Sequence, residues 1–285
     1  DVEEVLDFID KFVNRKEQTI NRIDTVLSGD TGLTDSAGRE LFSQNFNALN
    51  SLFGGTPKAE DVYKDILRLV FNSDTTSDSP RLHVINLRQV QGEIALRIGS
   101  DGEYFGVVSI GDTAGLIKNC EAKGITTGTE EFVSESLFHN INERNSNINI
   151  LIGSRKFTEG WNSWRVSTMG LINFAKGEGS QAIQLFGRGV RLRGYGGCLK
   201  RSHRLDDSSV IIPKYIELLE TLTIFGIKAQ YMEDFKRYLE MEDMPANERP
   251  HEYTLPVLNR YNPDEHRKLR VIKVKEGVNF KKQAA

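Results

Sequence analysis

The chain has 285 residues, enough for one large or two modest domains, and its 38% hydrophobic and 27% charged residues are typical of a globular protein. No apolar run approaches the roughly 20 residues that a membrane-spanning helix needs, so we expect no membrane partner. The net charge of -3 does not by itself indicate a polyanion partner, and two cysteines are too few for a disulfide framework. We therefore expect a reducing, cytoplasmic compartment. Because the chain begins at Asp1 rather than Met, we also expect a piece of a longer protein.

Residues 1–80 have the pattern of a helical subdomain followed by a linker. Apolar residues recur at helical spacing from Val2 to Leu27, from Leu41 to Phe53 and from Val62 to Val70. The polar, aperiodic stretch 72–80 predicts the linker. No residue in this region forms a recognisable catalytic motif, so we predict a scaffold or an insertion.

Residues 81–240 alternate between strand-like and helix-like segments. The predicted strands are 82–87 and 93–98, which form a pair, then 104–110, 148–153, 168–174, 209–212 and 219–224. Helices are predicted over 112–123, 180–190 and 231–239, and residues 138–142 are predicted to belong to a further helix. This alternation predicts an α/β fold, with a parallel sheet and helices on both faces. Residues 241–285 contain four prolines and are predicted to be a C-terminal extension that is mostly loop.

One candidate site falls on the helix predicted over 180–190. Arg188 and Arg191 are one helical turn apart, and Gln184 lies four residues before Arg188, so the three side chains share a face. Gly187 and Gly189 each cost a helix about 1 kcal/mol relative to alanine, which indicates the close approach of another surface. Two guanidiniums and an amide suit a polyanion with planar oxygens, such as a triphosphate. A structural salt-bridge role for the arginines is the alternative.

The pattern Gln-x-x-Gly-Arg-x-x-Arg over 184–191 resembles motif VI of superfamily 2 helicases. The preceding segment Thr158-Glu159-Gly160-Trp161-Asn162 resembles their motif V. Together, the two segments are most similar to those of the restriction-subunit (Res) helicases of type III restriction enzymes and their bacterial defence relatives. The resemblance extends over about residues 81–239. It implies a helicase C-terminal domain, the second RecA-like domain of a DNA translocase or helicase.

The resemblance also implies roles for individual residues. Arg188 and Arg191 would be arginine fingers that reach the γ-phosphate of ATP. The nucleotide would be contacted by Gln184, Gly187, Gly160 and Asn162. Phosphates of the nucleic acid would be contacted by Thr158, Arg155 and Lys156, although an ordinary loop pair is the alternative for Arg155 and Lys156. The family usually has Asp at the position of Asn162, which keeps the hydrogen-bonding shape of Asp and loses its charge.

The sequence contains no phosphate loop of the form G-x-x-x-x-G-K-[ST] and no Asp-Glu pair after a strand that could hold magnesium. We therefore expect ATP and Mg²⁺ to be held mainly by a preceding RecA-like domain of the same chain, and we predict no metal ligands here. The expected partner is double-stranded DNA, with RNA left open, and a modification methyltransferase subunit is a further candidate. The intact protein would be an ATP-dependent helicase or translocase, with any endonuclease elsewhere. The alternative is a non-enzymatic nucleic-acid-binding or scaffold module that retains the motor fold.

Overall fold

The structure is a computed structural model that describes residues 2–34, 38, 40, 49, 53–74, 80–153, 157, 163–172, 179–190, 194–205 and 209–227. All of these residues belong to one compact unit, Asp1–Arg237. The helix predicted over 231–239 and the extension predicted over 241–285 lie outside the described residues, as does most of the apolar stripe from Leu41 to Phe53.

The described elements begin with three helices, which are followed by seven strands and three further helices in the described part of the chain. The helices are α1 (Val2–Asn14), α2 (Lys16–Leu27), α3 (Ala59–Leu69), α4 (Thr113–Ala122), α5 (Gly179–Gly189) and α6 (Ile216–Leu219). The strands are β1 (Leu82–Leu87), β2 (Glu93–Ile98), β3 (Tyr104–Ser109), β4 (Thr126–Glu130), β5 (Ile150–Gly153), β6 (Thr168–Ile172) and β7 (Thr223–Ile227). Short 3-10 turns lie at His139–Asn142, Tyr195–Gly197 and Ser202–Arg204.

The five-stranded sheet has the order β4-β1-β2-β3-β5. Strands β1 and β4 are parallel, as are β3 and β5, whereas β2 runs antiparallel to both of its neighbours. The expectation of a parallel sheet is therefore confirmed for four strands and wrong for β2. Only residues 88–92 join β1 to β2, and so short a connection can form a hairpin but cannot cross back to a parallel position.

The two faces of this sheet are covered differently. On one face, residues such as Val84, Ile94 and Val108 pack with buried side chains of α1, α3 and α4 in a single core cluster. On the other face, Ala95 and Val107 pack under the segment 133–148. In that segment, the predicted helix around 138–142 is a single 3-10 turn, His139–Asn142. Among the described residues, helices thus cover one face of the five-stranded sheet and not both, which corrects the prediction.

The N-terminal helices are tied to the sheet by a buried carboxylate. Asp10 of α1 is 5% exposed, and its Oδ1 accepts hydrogen bonds from the Leu82 amide at 3.0 Å and from Arg81 Nε at 3.1 Å. The guanidinium of Arg81 also donates to the carbonyl of Gly124. The predicted helical stripe from Val2 to Leu27 is present, but it is divided into α1 and α2 at Arg15, where the backbone is not helical.

A second sheet consists of β6 and β7, which are parallel and pair Thr168 with Thr223 through Ile172 with Ile227. The strand predicted over 209–212 is wrong, because Ile211 is 92% exposed in a loop that leads to Pro213. The strand predicted over 219–224 begins only at Thr223, since Ile216–Leu219 form a helical turn. In the described part of the chain, none of the helices combines the length and apolar character needed to cross a membrane.

Candidate functional site

Helix α5 carries the described residues of the candidate site. It follows β6 in the chain and has two distinct sides. Leu185 and Phe186 are buried and pack against Leu171 of β6, with Met169 and Ile224 at the edge of the same cluster. This cluster therefore fixes α5 on the two-stranded sheet and determines which of its residues face outward.

The outward side of α5 is the side that the sequence predicts for the site. Gln184 and Gly187 are exposed, and Arg188 is half-buried. At about 100° per residue, Gln184 and Arg188 lie within about 40° of one another around the helix axis, and Phe186 lies on the opposite side, with Leu185 at the flank nearer Arg188. The shared face of Gln184 and Arg188 is thus present in the structure. Whether Arg191 extends this face is not tested, because Arg191 lies outside the described residues.

The two glycines of α5 have different surroundings. A Cβ atom on Gly189 would lie 2.7 Å from Leu222 Cδ2 and 3.2 Å from Met169 Cε, closer than ordinary contacts allow. A Cβ atom on Gly187 would have no neighbour within 4 Å. The close approach inferred for both glycines therefore occurs within the chain at Gly189, whereas the backbone at Gly187 is open on the outward side of α5.

The segment that resembles motif V begins at the end of β5. Gly153 ends this strand opposite Ser109 of β3, and a Cβ atom on Gly153 would lie 2.7 Å from Phe157 Cε2 and 3.1 Å from the Ser109 carbonyl oxygen. The ring of Phe157 therefore packs against the end of β5. The remaining predicted site residues of this segment, Arg155, Lys156, Thr158, Gly160 and Asn162, lie outside the described residues.

Phe157 connects this segment to α5. Its ring lies 5.5 Å from the ring of Phe138, centroid to centroid. It also packs against the cluster that contains Leu185 and Phe186 beneath α5. The predicted phosphate-contacting residues Lys156 and Thr158 are its neighbours in the chain. The two segments that carry the sequence signal thus share a hydrophobic contact, although the sequence analysis assigned no role to Phe157.

A basic turn follows α5 in the chain. Lys200, Arg201 and Arg204 are exposed in and beside the 3-10 turn Ser202–Arg204. Glu220 anchors this turn, since it accepts hydrogen bonds from the Ser202 amide at 2.9 Å and from the Ser202 hydroxyl at 3.1 Å. Glu220 lies two residues before Leu222, which is the neighbour of Gly189. The basic turn is therefore attached to the same segment that packs against the end of α5.

We also looked among the described residues for a reactive cysteine and for a metal site. Burial of the Cys120 thiol raises its pKa to about 11, so this cysteine stays protonated near neutral pH and is a poor nucleophile. Within the described ranges, no group of three or more His, Cys, Asp or Glu side chains is placed to hold a metal ion. The outward side of α5 and the basic turn that follows it in the chain are therefore the candidate site.

Comparison of the chain with protein-family models, with curated proteins and with solved structures gives no match.

Proposed function

We propose that the chain is the second motor domain of an ATP-dependent DNA translocase or helicase, from a type III restriction enzyme or a related phage-defence enzyme. In this proposal, residues 81–240 form a RecA-like domain, residues 1–80 are a helical subdomain attached to it, and the protein acts in the cytoplasm. ATP and Mg²⁺ are bound mainly by a preceding RecA-like domain, and α5 supplies arginine fingers to that ATP.

The observation that supports this proposal most strongly is the division of α5 into two sides. The apolar residues of the motif, Leu185 and Phe186, are buried against β6, while Gln184 and Gly187 are exposed and Arg188 is half-buried beside them. An arginine that serves ATP on another domain must lie on a surface open to that domain. The same helix must also be held firmly enough to position the guanidinium.

The chemistry of this role is electrostatic. During phosphoryl transfer, negative charge spreads over the equatorial oxygens of the γ-phosphoryl group, and a guanidinium placed beside them stabilises that charge. Closure of the two domains over ATP would bring Arg188 to the nucleotide, and opening after hydrolysis would remove it. Contacts from Arg155, Lys156 and Thr158 to the phosphates of the nucleic acid would then be made and released in each cycle, without reading its sequence.

Arginine fingers contribute about 10³- to 10⁵-fold to kcat in related chemistry. We therefore expect Arg188→Ala and Arg191→Ala, made in the full-length protein, to abolish most DNA-stimulated ATP hydrolysis while DNA binding survives. Arg68→Ala is a matched control, because Arg68 is an exposed helical arginine whose partner, Asp65, is on the same helix. Steady-state ATPase assays and DNA-binding titrations at one fixed salt concentration measure both properties.

The test also separates the proposal from its alternatives. Unchanged turnover in both variants contradicts the arginine-finger role. A large fall in melting temperature with Arg188→Ala instead favours a structural salt bridge. Salt-dependent DNA binding without any ATPase in the full-length protein favours a non-enzymatic nucleic-acid-binding or scaffold module. Parallel titrations with duplex DNA and RNA, and with a modification methyltransferase subunit, identify the partners.

A further inference from the structure

A second feature of the structure lies at the end of the sheet where β3 begins. The candidate site on α5 is reached from the opposite end, where β3 ends at Ser109 and β5 ends at Gly153. β3 has six residues, so the two ends are about 17 Å apart. At the end where β3 begins, a cavity of about 460 Å³ lies between the end of β2, the turn before β3 and the segment 137–148. We call it the Arg97 cavity, because Arg97 of β2 is the cationic residue among its lining residues.

Arg97 is half-buried and lacks the partners that such an arginine ordinarily has. Its Nε is shielded from solvent and has no hydrogen-bond partner. Within the described part of the chain, its guanidinium also makes no ion pair. A shielded donor without an acceptor costs about 1–3 kcal/mol, so its retention calls for an explanation.

The guanidinium of Arg97 lies over a neighbouring aromatic ring. Its guanidinium carbon lies 5.8 Å from the centre of the Tyr104 ring, a distance that allows a cation–π interaction. Arg97 and Tyr104 are also partners in the β2–β3 register, beside an irregularity at Leu96 and Arg97. The Tyr104 ring thus restricts the positions open to the guanidinium, and such restriction before binding lowers the entropic cost of binding.

The charges around the cavity restrict the ligand. The lining residues include the carboxylates Asp101, Glu103 and Glu143 and the single guanidinium of Arg97, a formal charge of -2. Asn147 Nδ2 donates a hydrogen bond to Glu103 Oε2 at 2.8 Å and so fixes one of these carboxylates. A dianion such as phosphate would be repelled, whereas a carboxylate matches the planar fork of an arginine and brings a single negative charge. A positive group on the same ligand would be attracted by the three carboxylates.

We propose that the Arg97 cavity binds a ligand with a carboxylate and a cationic side chain, in the form of a basic amino acid or the carboxy terminus of a basic peptide. The carboxylate pairs with Arg97, and the cationic group lies against Asp101, Glu103 and Glu143. This site is independent of the proposed ATPase function, because it lies at the end of the sheet where β3 and β5 begin, whereas the segment leading to α5 leaves from the other end, after Gly153.

Calorimetric titration of the purified chain tests this assignment with defined probes. L-Arginine is compared with L-argininamide, which lacks the carboxylate, and the peptide Gly-Gly-Arg is compared with its carboxy-terminal amide. We expect the free acid of each pair to bind about 10- to 100-fold more tightly than its amide, the range expected for a hydrogen-bonded charge pair. The better of the two acids identifies the source, and inorganic phosphate should not bind measurably.

The variant Arg97→Gln should remove the preference for the free acid, and Arg97→Lys should retain only part of it. Arg88→Gln is the matched control, because Arg88 is an exposed arginine of the same sheet region that pairs with Glu131 outside the cavity. Equal binding of acid and amide, no binding of any probe, or an unchanged preference in Arg97→Gln would each overturn the proposal. If Arg97→Gln does not fold, the acid and amide titrations of the unmodified chain decide it alone.

Discussion

Leu222 occupies the space that a side chain on Gly189 would need: its Cδ2 lies 2.7 Å from the Cβ position of that glycine. Leu222 immediately precedes β7, and Gly189 ends α5. The contact therefore attaches the end of the candidate functional helix to the second sheet. A side chain at Gly189 would therefore have to displace Leu222.

The two glycines of α5 should respond differently to alanine. Gly187→Ala places a methyl group in open space and should raise the free energy of unfolding by about 0.5–1 kcal/mol, because glycine is a poor helix former. Gly189→Ala forces Leu222 and Met169 to move, and overpacking of this kind typically costs about 1–3 kcal/mol. Urea denaturation of both variants measures the difference. Equal stabilities would show that Leu222 can move aside without a loss of stability.

We expect Asp10 to contribute far more to the free energy of unfolding than Asp7, which lies on the same helix. Asp10→Ala leaves the buried Leu82 amide without its acceptor and removes the partner of Arg81, so we expect a loss of about 2–4 kcal/mol. Asp7→Ala removes only an exposed pair with Lys11 and should change stability by less than about 1 kcal/mol. Chemical denaturation of the two variants compares them directly, and similar losses would contradict the role given to Asp10.

We expect the folded chain to lose stability at alkaline pH because of Cys120. Its pKa is about 11 in the folded chain against an ordinary value of 9.0, because burial disfavours the thiolate. Its contribution is fully present below pH 9.0 and is lost as the pH rises towards 11, since only the unfolded chain gains a thiolate in that window. The expected contribution is about 2–3 kcal/mol.

Urea denaturation between about pH 8 and about pH 10.5, which covers most of the window in which stability is lost, checks this prediction. Cys120→Ala should show a shallower decline in stability than the unmodified chain. Cys198→Ala, which leaves Cys120 in place, serves as the control and should follow the unmodified chain. Parallel declines in all three proteins would show that the thiol of Cys120 does not contribute.

Strong local patterns made much of the fold predictable. The alternating or continuous apolar residues of β1, β2 and β3 predicted these strands almost to the residue, and Asp112 is the N-cap of α4, where the predicted helix starts. Strand β4 was not predicted, because Thr126–Glu130 contains no large apolar side chain and lies at the edge of the sheet. A run such as Val210–Ile212 looks strand-like in isolation, but no neighbouring strand pairs with it in the described part of the chain.

The candidate site was predictable only in part. Helical spacing was sufficient to place Gln184 and Arg188 on one outward face of α5. The contacts of Phe157 with Phe138 and with the cluster beneath α5 depend on tertiary packing, for which the sequence carries no local signal. The same holds for Arg97, because carboxylates close to it in the chain suggest ion pairs that the described residues do not form.

The central claim is that α5 supplies positive charge to the transition state of ATP hydrolysis. Affinity of the full-length protein for ADP and for ADP-aluminium fluoride tests it most directly, because an arginine finger binds the transition-state mimic far better than the ground state. We expect Arg188→Ala to weaken binding of the mimic by about 100-fold or more and binding of ADP by much less. An unchanged ratio of the two affinities in Arg188→Ala would contradict the claim.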